Sequence, residues 1–210
     1  MNYSEVGSDE LNAIALRELA RQPINQDMIA YVSSFAAMIT QCGPSHTVLR
    51  ENISSTIRKA PDDSSSLMSL ENFVSVLIQA SGTQVTTLMG ALVYLVRLQA
   101  KLQPGIKGHH TTNHRIFLAS LILAAKYLED NALMNKHWAH ISSGGARGQE
   151  TSFSLREINL MEIQLLDLLG WELCITLEDL FIVSEPFLAP IRVAIQRFRA
   201  RDFLYRSTPL

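Results

Sequence analysis

The sequence predicts an all-α protein, and three observations carry that expectation. Apolar residues recur at helical spacing in most of the chain, as at Phe73, Val74, Leu77 and Ile78. Alternating β-branched runs of the kind that mark strands are absent. Glycines are few, 10 in 210 residues, and collect between the periodic segments, where they punctuate helices.

The elements follow in order. Ser8 and Asp9 suit the start of a first helix running to about Arg21, broken by Pro23. Gln26 to Thr40 carries Met28, Val32 and Phe35 at helical spacing and stops at Gly43-Pro44. Ser45 to Ser69 reads as loop, most plainly "APDDSSS" at Ala60 to Ser66. A tighter pattern then begins with a helix over Leu70 to Gln79, ended at Ser81-Gly82. A long helix over Thr83 to Leu102 places Val85, Leu88, Leu92, Leu95 and Leu102 on its apolar side and closes at Pro104-Gly105. Thr112 to Glu129 is apolar around its whole circumference after the first turn, so it belongs at the centre of a bundle. A short helix over Asn135 to Ile141 leads into the Gly-rich loop "SSGGARGQE". Ser154 and Glu157 then form a capping box, and Phe153 and Ile158 a hydrophobic staple, for a helix running to Leu169 and stopped by Gly170. Thr176 and Asp179 mark a weaker start for a last helix, with a free tail expected after about Phe203.

Composition excludes several classes of function. The apolar fraction is 47% and the charged fraction 18%, which rules out a wholly disordered chain. The 18 basic and 20 acidic residues give a net charge of −2, so no long-range field draws polyanions and general nucleic-acid binding is not expected. Cys42 and Cys174 lie far apart, which is neither a disulfide framework nor a zinc pattern. The first residues lack the basic start and apolar run of a secretory signal. The longest apolar run, Ile116 to Ala125, is shorter than the roughly 20 residues a bilayer needs. A soluble, intracellular protein is the expectation.

Two residues break the pattern. With Ile158 at zero on a helical wheel, Met161, Leu165, Leu166 and Leu169 fall within about 80° and form the apolar face. Arg156, Asn159, Gln164 and Asp167 fall outside it, but Glu162 lands about 40° from Ile158, inside the stripe. A carboxylate there is costly without a cation or donors. Lys126 is the matching anomaly, closing the all-apolar helix one turn beyond Ile122 and Leu123. The simplest solution pairs Lys126 with Glu162. Two roles stay open for such a pair: fixing the register of two helices, or offering hydrogen bonds to a partner chain at the bundle surface.

"HRIFLASLILAAKYLED" (His114 to Asp130), "NKHWAHIS" (Asn135 to Ser142) and "LREINLMEIQLLDLLGWEL" (Leu155 to Leu173) together resemble a cyclin box. They resemble in particular the fungal PCL subfamily, supported upstream by "ALVYLVRLQ" (Ala91 to Gln99) and by "NQDMIAYVSSFAAMIT" before the box. The resemblance covers about Leu70 to Leu180. It implies five helices around a central third one and no chemistry of the chain's own. It implies binding to a cyclin-dependent kinase, pushing that kinase's regulatory C-helix into place and completing the kinase's own Lys–Glu ion pair. By resemblance, Lys126 and Glu162 touch the segment leading into that helix, with Tyr127, Leu166 and Trp171 at apolar positions of the same interface. The implied partner is the phosphate-pathway type of kinase, whose substrates such cyclins help select. The chain departs from mitotic cyclins in its first box helix, "SLENFVSVLIQAS", which lacks the Met-Arg-Ala-Ile-Leu-like motif that holds Arg-x-Leu substrates. With 40 residues after Gly170, a second box is not expected.

Other constellations are weaker. His110 and His114 stand four apart beside His109, but no Cys or acidic ligand lies nearby before Glu129, so neither metal nor cofactor is expected. "SSGGARGQE" lacks the Gly-Lys-Ser/Thr of a phosphate loop. No nucleophile elbow or acid/base dyad is present, and no enzyme is expected. Arg192, Arg197, Arg199 and Arg201 form a basic cluster, either a solvated face or a dock for an acidic or phosphorylated substrate segment. Thr208-Pro209 is a minimal proline-directed phosphorylation site.

The expected organisation is an N-terminal helical extension (1–45), a linker (46–69), a single cyclin box (70–175) and a C-terminal helical extension with tail (176–210). The expected function is a regulatory kinase-activating subunit in cell-cycle or nutrient signalling, in nucleus and cytoplasm, without direct nucleic-acid or membrane partners. The alternative is a cyclin-like scaffold or transcription-factor subunit that activates no kinase.

Overall fold

Helix caps written into the sequence set several of the element boundaries. The structure, a computed structural model, describes residues 6–39, 68–103, 108–143 and 151–206. The expected stops at Gly43-Pro44 and Pro104-Gly105, the loops over 45–69 and 142–150, Cys42 and Thr208-Pro209 lie wholly or mainly outside these residues. Among the described residues there are eight helices and no strand: α1 (Val6–Ala20), α2 (Gln26–Ile39), α3 (Leu70–Ser81), α4 (Val85–Lys101), α5 (Thr112–Leu128), α6 (Asn135–Ser142), α7 (Leu155–Leu169) and α8 (Leu177–Arg206).

The caps explain the ends. Ser69 accepts a hydrogen bond from the Asn72 amide at 3.3 Å to open α3, and Gly82 closes it at φ 68°. At α7 the Glu157 amide donates to Ser154 Oγ at 3.3 Å and the Ser154 amide donates back to Glu157 Oε2 at 2.9 Å, the full reciprocal box. The weaker signal before α8 proves to be a box of the same kind, with the Asp179 amide on Thr176 Oγ1 at 3.1 Å and the Thr176 amide on Asp179 Oδ2 at 2.8 Å. Two ends differ from expectation. Helix α1 begins at Val6, so Ser8 lies inside it rather than capping it, and α8 runs on to Arg206 past the expected free end.

The chain divides into two compact units, one of 24–174 and one of 1–23 with 175–210. The stretch 1–45, expected as one extension, is shared between them: α2 belongs to the first unit and α1 to the second. Tertiary burial is the reason. Met28, Ile29, Val32, Ala36 and Ile39 of α2 are buried, and α2 packs on α3, α4 and α5.

In the larger unit α5 is the central helix, in contact with α2, α3, α4 and α7. Every residue from Phe117 to Ala125 is buried, as the absence of a polar face required. Helix α4 is buried more widely than its expected stripe: Thr87 to Leu95 is continuous core, because α2, α5 and α7 cover it from several sides. Within the smaller unit α1 and α8 pack together, burying Leu11, Ala15, Leu19, Val183 and Leu188. No helix of the described residues is long and apolar enough to cross a membrane.

Candidate functional site

The end of α5, the middle of α7 and the start of α6 meet at one edge of the larger unit. Lys126 sits in the last turn of α5, where a cation also suits the negative end of the helix. Its Nζ donates to Glu162 Oε1 at 2.5 Å. The two anomalies of the sequence therefore form one pair. Their burial is unequal: the Lys126 side chain keeps 37% of its surface and the Glu162 side chain 15%. The carboxylate is nearly enclosed while the ammonium reaches water.

A third residue joins them. Asn135, the first residue of α6, donates from Nδ2 to Glu162 Oε2 at 2.6 Å and to Asn159 Oδ1 at 2.8 Å. Each Glu162 oxygen thus has its own donor. Reading the sequence missed this residue, because asparagine at a helix start has an ordinary local explanation.

Several apolar side chains of the same helices, and of the turn after α7, are uncovered. Tyr127 is exposed beside Lys126, Leu166 is half-buried one turn beyond Glu162, and Trp171 is 64% exposed. The structure adds Ile163, 54% exposed, with Leu160, Leu155, Leu128 and Met134 also exposed. Leu160 and Ile163 fall at about 200° and 140° on the wheel used for Glu162, inside the polar arc. That was the legible signal for them.

Trp171 has an unusual backbone. It follows Gly170, which closes α7 at φ 64°, and itself takes φ 62°, a left-handed conformation uncommon for a bulky side chain. Three side chains of α4 hold the segment in place. Tyr94 Oη donates to the Leu173 carbonyl at 2.9 Å. Arg97 donates to the carbonyls of Glu172 and Cys174 at 2.9 and 2.7 Å. Lys101 donates to the Leu169 carbonyl at 2.5 Å and pairs with Glu172 at 2.9 Å. A Cβ on Gly170 would stand 3.3 Å from Lys101 Nζ, so the lysine would have to shift slightly to admit one. Burial first, then nearby charges, pushes the Tyr94 hydroxyl far above its ordinary range, so it serves as a neutral donor.

A further ion pair braces α7 from within. Arg115 of α5 donates to Glu157 Oε1 at 2.8 Å, with its guanidinium 4.7 Å from the centre of the Phe153 ring. Burial alone would raise the Glu157 carboxyl, but the Arg115 and Ser154 hydrogen bonds outweigh it and hold the group below its ordinary value. Among the histidines weighed as ligands, His114 is in the core. Its Nε2 lies 2.9 Å from the Met68 carbonyl oxygen and its ring meets Phe73 edge-on. Desolvation lowers its pKa.

The arginines of α8 belong to the smaller unit and do not share one face. Arg192 pairs with Glu185 and donates to Asn12 Oδ1 at 3.2 Å, in a shallow groove also lined by Leu11, Ala189 and Gln196. Arg199 stands 3.9 Å from Glu10. Arg197 and Arg201 are exposed one turn apart.

Comparison with known proteins identifies the family. The family profile of the cyclin N-terminal domain matches residues 49–174. The Saccharomyces cerevisiae proteins PHO85 cyclin-2 and PHO85 cyclin-1 are 34% and 35% identical over 181 and 188 residues, 86% and 87% of this chain. PHO85 cyclin-9 of the same yeast is 33% identical over 195 residues, 93% of this chain. The matched regions are 53%, 61% and 58% of those three relatives, so the chain spans a little over half their length. With the profile covering more than half of its residues and the buried central helix where a cyclin box requires one, the chain belongs to the cyclin family.

Proposed function

We propose that this chain is a regulatory subunit that binds and activates a cyclin-dependent kinase of the PHO85 type. The observation that carries the reading is the Lys126–Glu162 pair. It lies at an edge of the unit, partly open to water, and Tyr127 of α5, Ile163 of α7 and Trp171 just after α7 are uncovered. A pair serving only to lock α5 on α7 has no need of exposed apolar neighbours. Charged groups ringed by apolar surface suit a docking site, where the apolar area supplies affinity and the charges set register. Lys126, Tyr127, Glu162, Leu166 and Trp171 are the residues assigned to it, with Ile163 added.

In this reading the chain contributes no chemistry of its own. It positions the kinase's C-helix, and the kinase transfers the phosphoryl group. The box at 70–175, completed by α2, does this work. Arg197 and Arg201 of α8 are the arginines best placed to meet an acidic substrate segment, since Arg192 and Arg199 face partners within their own unit. The location that goes with this role is nucleus and cytoplasm.

The test is co-purification with a PHO85-type kinase, wild type beside Glu162→Ala, with kinase activity read on the eluate. Capture and activation by wild type, lost in a variant that still folds, is the expected result. Failure of the wild-type chain to bind any such kinase would overturn the reading in favour of a cyclin-like scaffold.

A further inference from the structure

The Glu162 carboxylate is held from two sides, by an ammonium on one oxygen and by an amide on the other. Asn135 spends both of its amide protons on one edge of the site: Nδ2 donates to Glu162 Oε2 at 2.6 Å and to Asn159 Oδ1 at 2.8 Å. Its own Oδ1 is buried with no hydrogen-bond partner. An amide left free to choose would satisfy that oxygen, because a buried unpaired acceptor is costly. Turning the amide over would place its oxygen against two other oxygens, so the orientation is dictated by Glu162 and Asn159. The sequence around Asn135 offers no local need for this, since Met134 is the N-cap of α6 and caps it without a side chain.

We infer that Asn135 is a positioning residue for the Glu162 carboxylate. With Lys126 on Oε1 and Asn135 on Oε2, the carboxylate cannot rotate about its terminal bond. Each oxygen keeps one lone-pair direction, and Lys126 keeps the protons it does not give to Glu162. A partner main chain therefore meets acceptors and donors whose directions are already fixed. Ordering the side chains before association lowers the entropy lost at binding. Asn135 acts through Glu162 and not by touching the partner first, which separates it from the residues named above. The inference rests on the kinase-binding reading.

The test measures affinity for the kinase and thermal unfolding in four chains: wild type, Asn135→Ala, Glu162→Ala and the double variant. Loss of one hydrogen bond to a charged group predicts about tenfold weaker binding for Asn135→Ala, the equivalent of about 1.4 kcal/mol. In the Glu162→Ala background the same substitution changes affinity by less than about twofold, because its only route to the interface is gone. Asn135→Asp, the same size but carrying a charge beside the carboxylate, binds more weakly than Asn135→Ala. Additive losses in the double variant, wild-type affinity in Asn135→Ala, or tighter binding by Asn135→Asp than by Asn135→Ala would each overturn the inference. Side-chain amide resonances of Asn135 in the free chain, expected to move in Glu162→Ala, report the contact without any kinase. If they move while the wild-type chain binds no kinase, the function reading has failed and the clamp has not. If they stay in place, the clamp itself is refuted.

Discussion

Replacing Glu162 by alanine tests whether the site is built for the chain's own stability or for a partner. The carboxylate loses two contacts, Lys126 Nζ at 2.5 Å and Asn135 Nδ2 at 2.6 Å. The freed ammonium is not stranded, because 37% of the Lys126 side chain already reaches solvent. Pairs of that exposure contribute about 0–1 kcal/mol after screening. The Asn135 amide keeps Asn159 as an acceptor, so its lost bond costs about 1 kcal/mol more. The sum, about 1–2 kcal/mol, corresponds to a melting temperature lower by about 2–8 °C in a chain of this size. A buried pair broken to leave an uncompensated charge would instead cost about 3–5 kcal/mol. Thermal melting followed by circular dichroism, beside kinase capture on the same preparation, separates the two. A destabilisation above about 3 kcal/mol would mean that Lys126 has no route to water and that the geometric reasoning is wrong. A variant that melts as expected but still binds and activates the kinase would refute the interface.

Three further outcomes follow from other contacts. Trp171→Gly relieves a left-handed backbone that favours glycine, though added freedom in the unfolded chain offsets part of the gain; its melting temperature stays within about 2 °C of wild type or rises, while kinase affinity falls, and a marked drop in melting would show that Trp171 is structural after all. Arg115→Met removes the Glu157 pair and the guanidinium at the Phe153 ring, lowering stability by about 1–2 kcal/mol in urea unfolding; an unchanged midpoint would discount the pair. His114 gives a pH dependence whose sign is determined by burial. Its folded pKa lies below the ordinary 6.5, so on acidification the unfolded chain takes up the proton first. Stability is therefore full above the ordinary value and falls as pH drops below it, a loss that Glu157 adds to only in the carboxylate range. Unfolding measured from pH 7.5 to 5.5 should show this decline in wild type and a flatter profile in His114→Gln, and equal slopes would exclude His114 as its source.

Much of the site was readable because the relevant rules are local. Glu162 stood out by its angle on one helix, and Lys126 by closing an otherwise apolar one; each needed only the 3.6-residue period. Their pairing followed because two costly groups have one cheap solution. Asn135 was not readable in this way, since its acceptors lie 24 and 27 residues away and nothing about its own helix is anomalous. The same holds for Tyr94, Arg97 and Lys101. Polar residues on a helix face are ordinary, and only packing of α4 against the end of α7 turns them into a clamp on the Trp171 segment. The arginines of α8 show the opposite limit: closeness along the chain suggested one cluster, but a helix turns about 100° per residue, so Arg192 and Arg199 face α1 while Arg197 and Arg201 fall on another side.

By itself the sequence determined the helical class, the central position of α5, the capped start of α7 and the presence of a carboxylate within its apolar stripe. These follow from periodicity and from short-range hydrogen bonds, which act over at most a few turns. Only the tertiary structure decided that α2 joins the bundle while α1 pairs with α8, that Trp171 is held in a left-handed turn, and that Glu162 is enclosed while Lys126 is not. Burial and long-range hydrogen bonding are properties of surfaces brought together by packing, and no single helix carries the information for the surface it will meet.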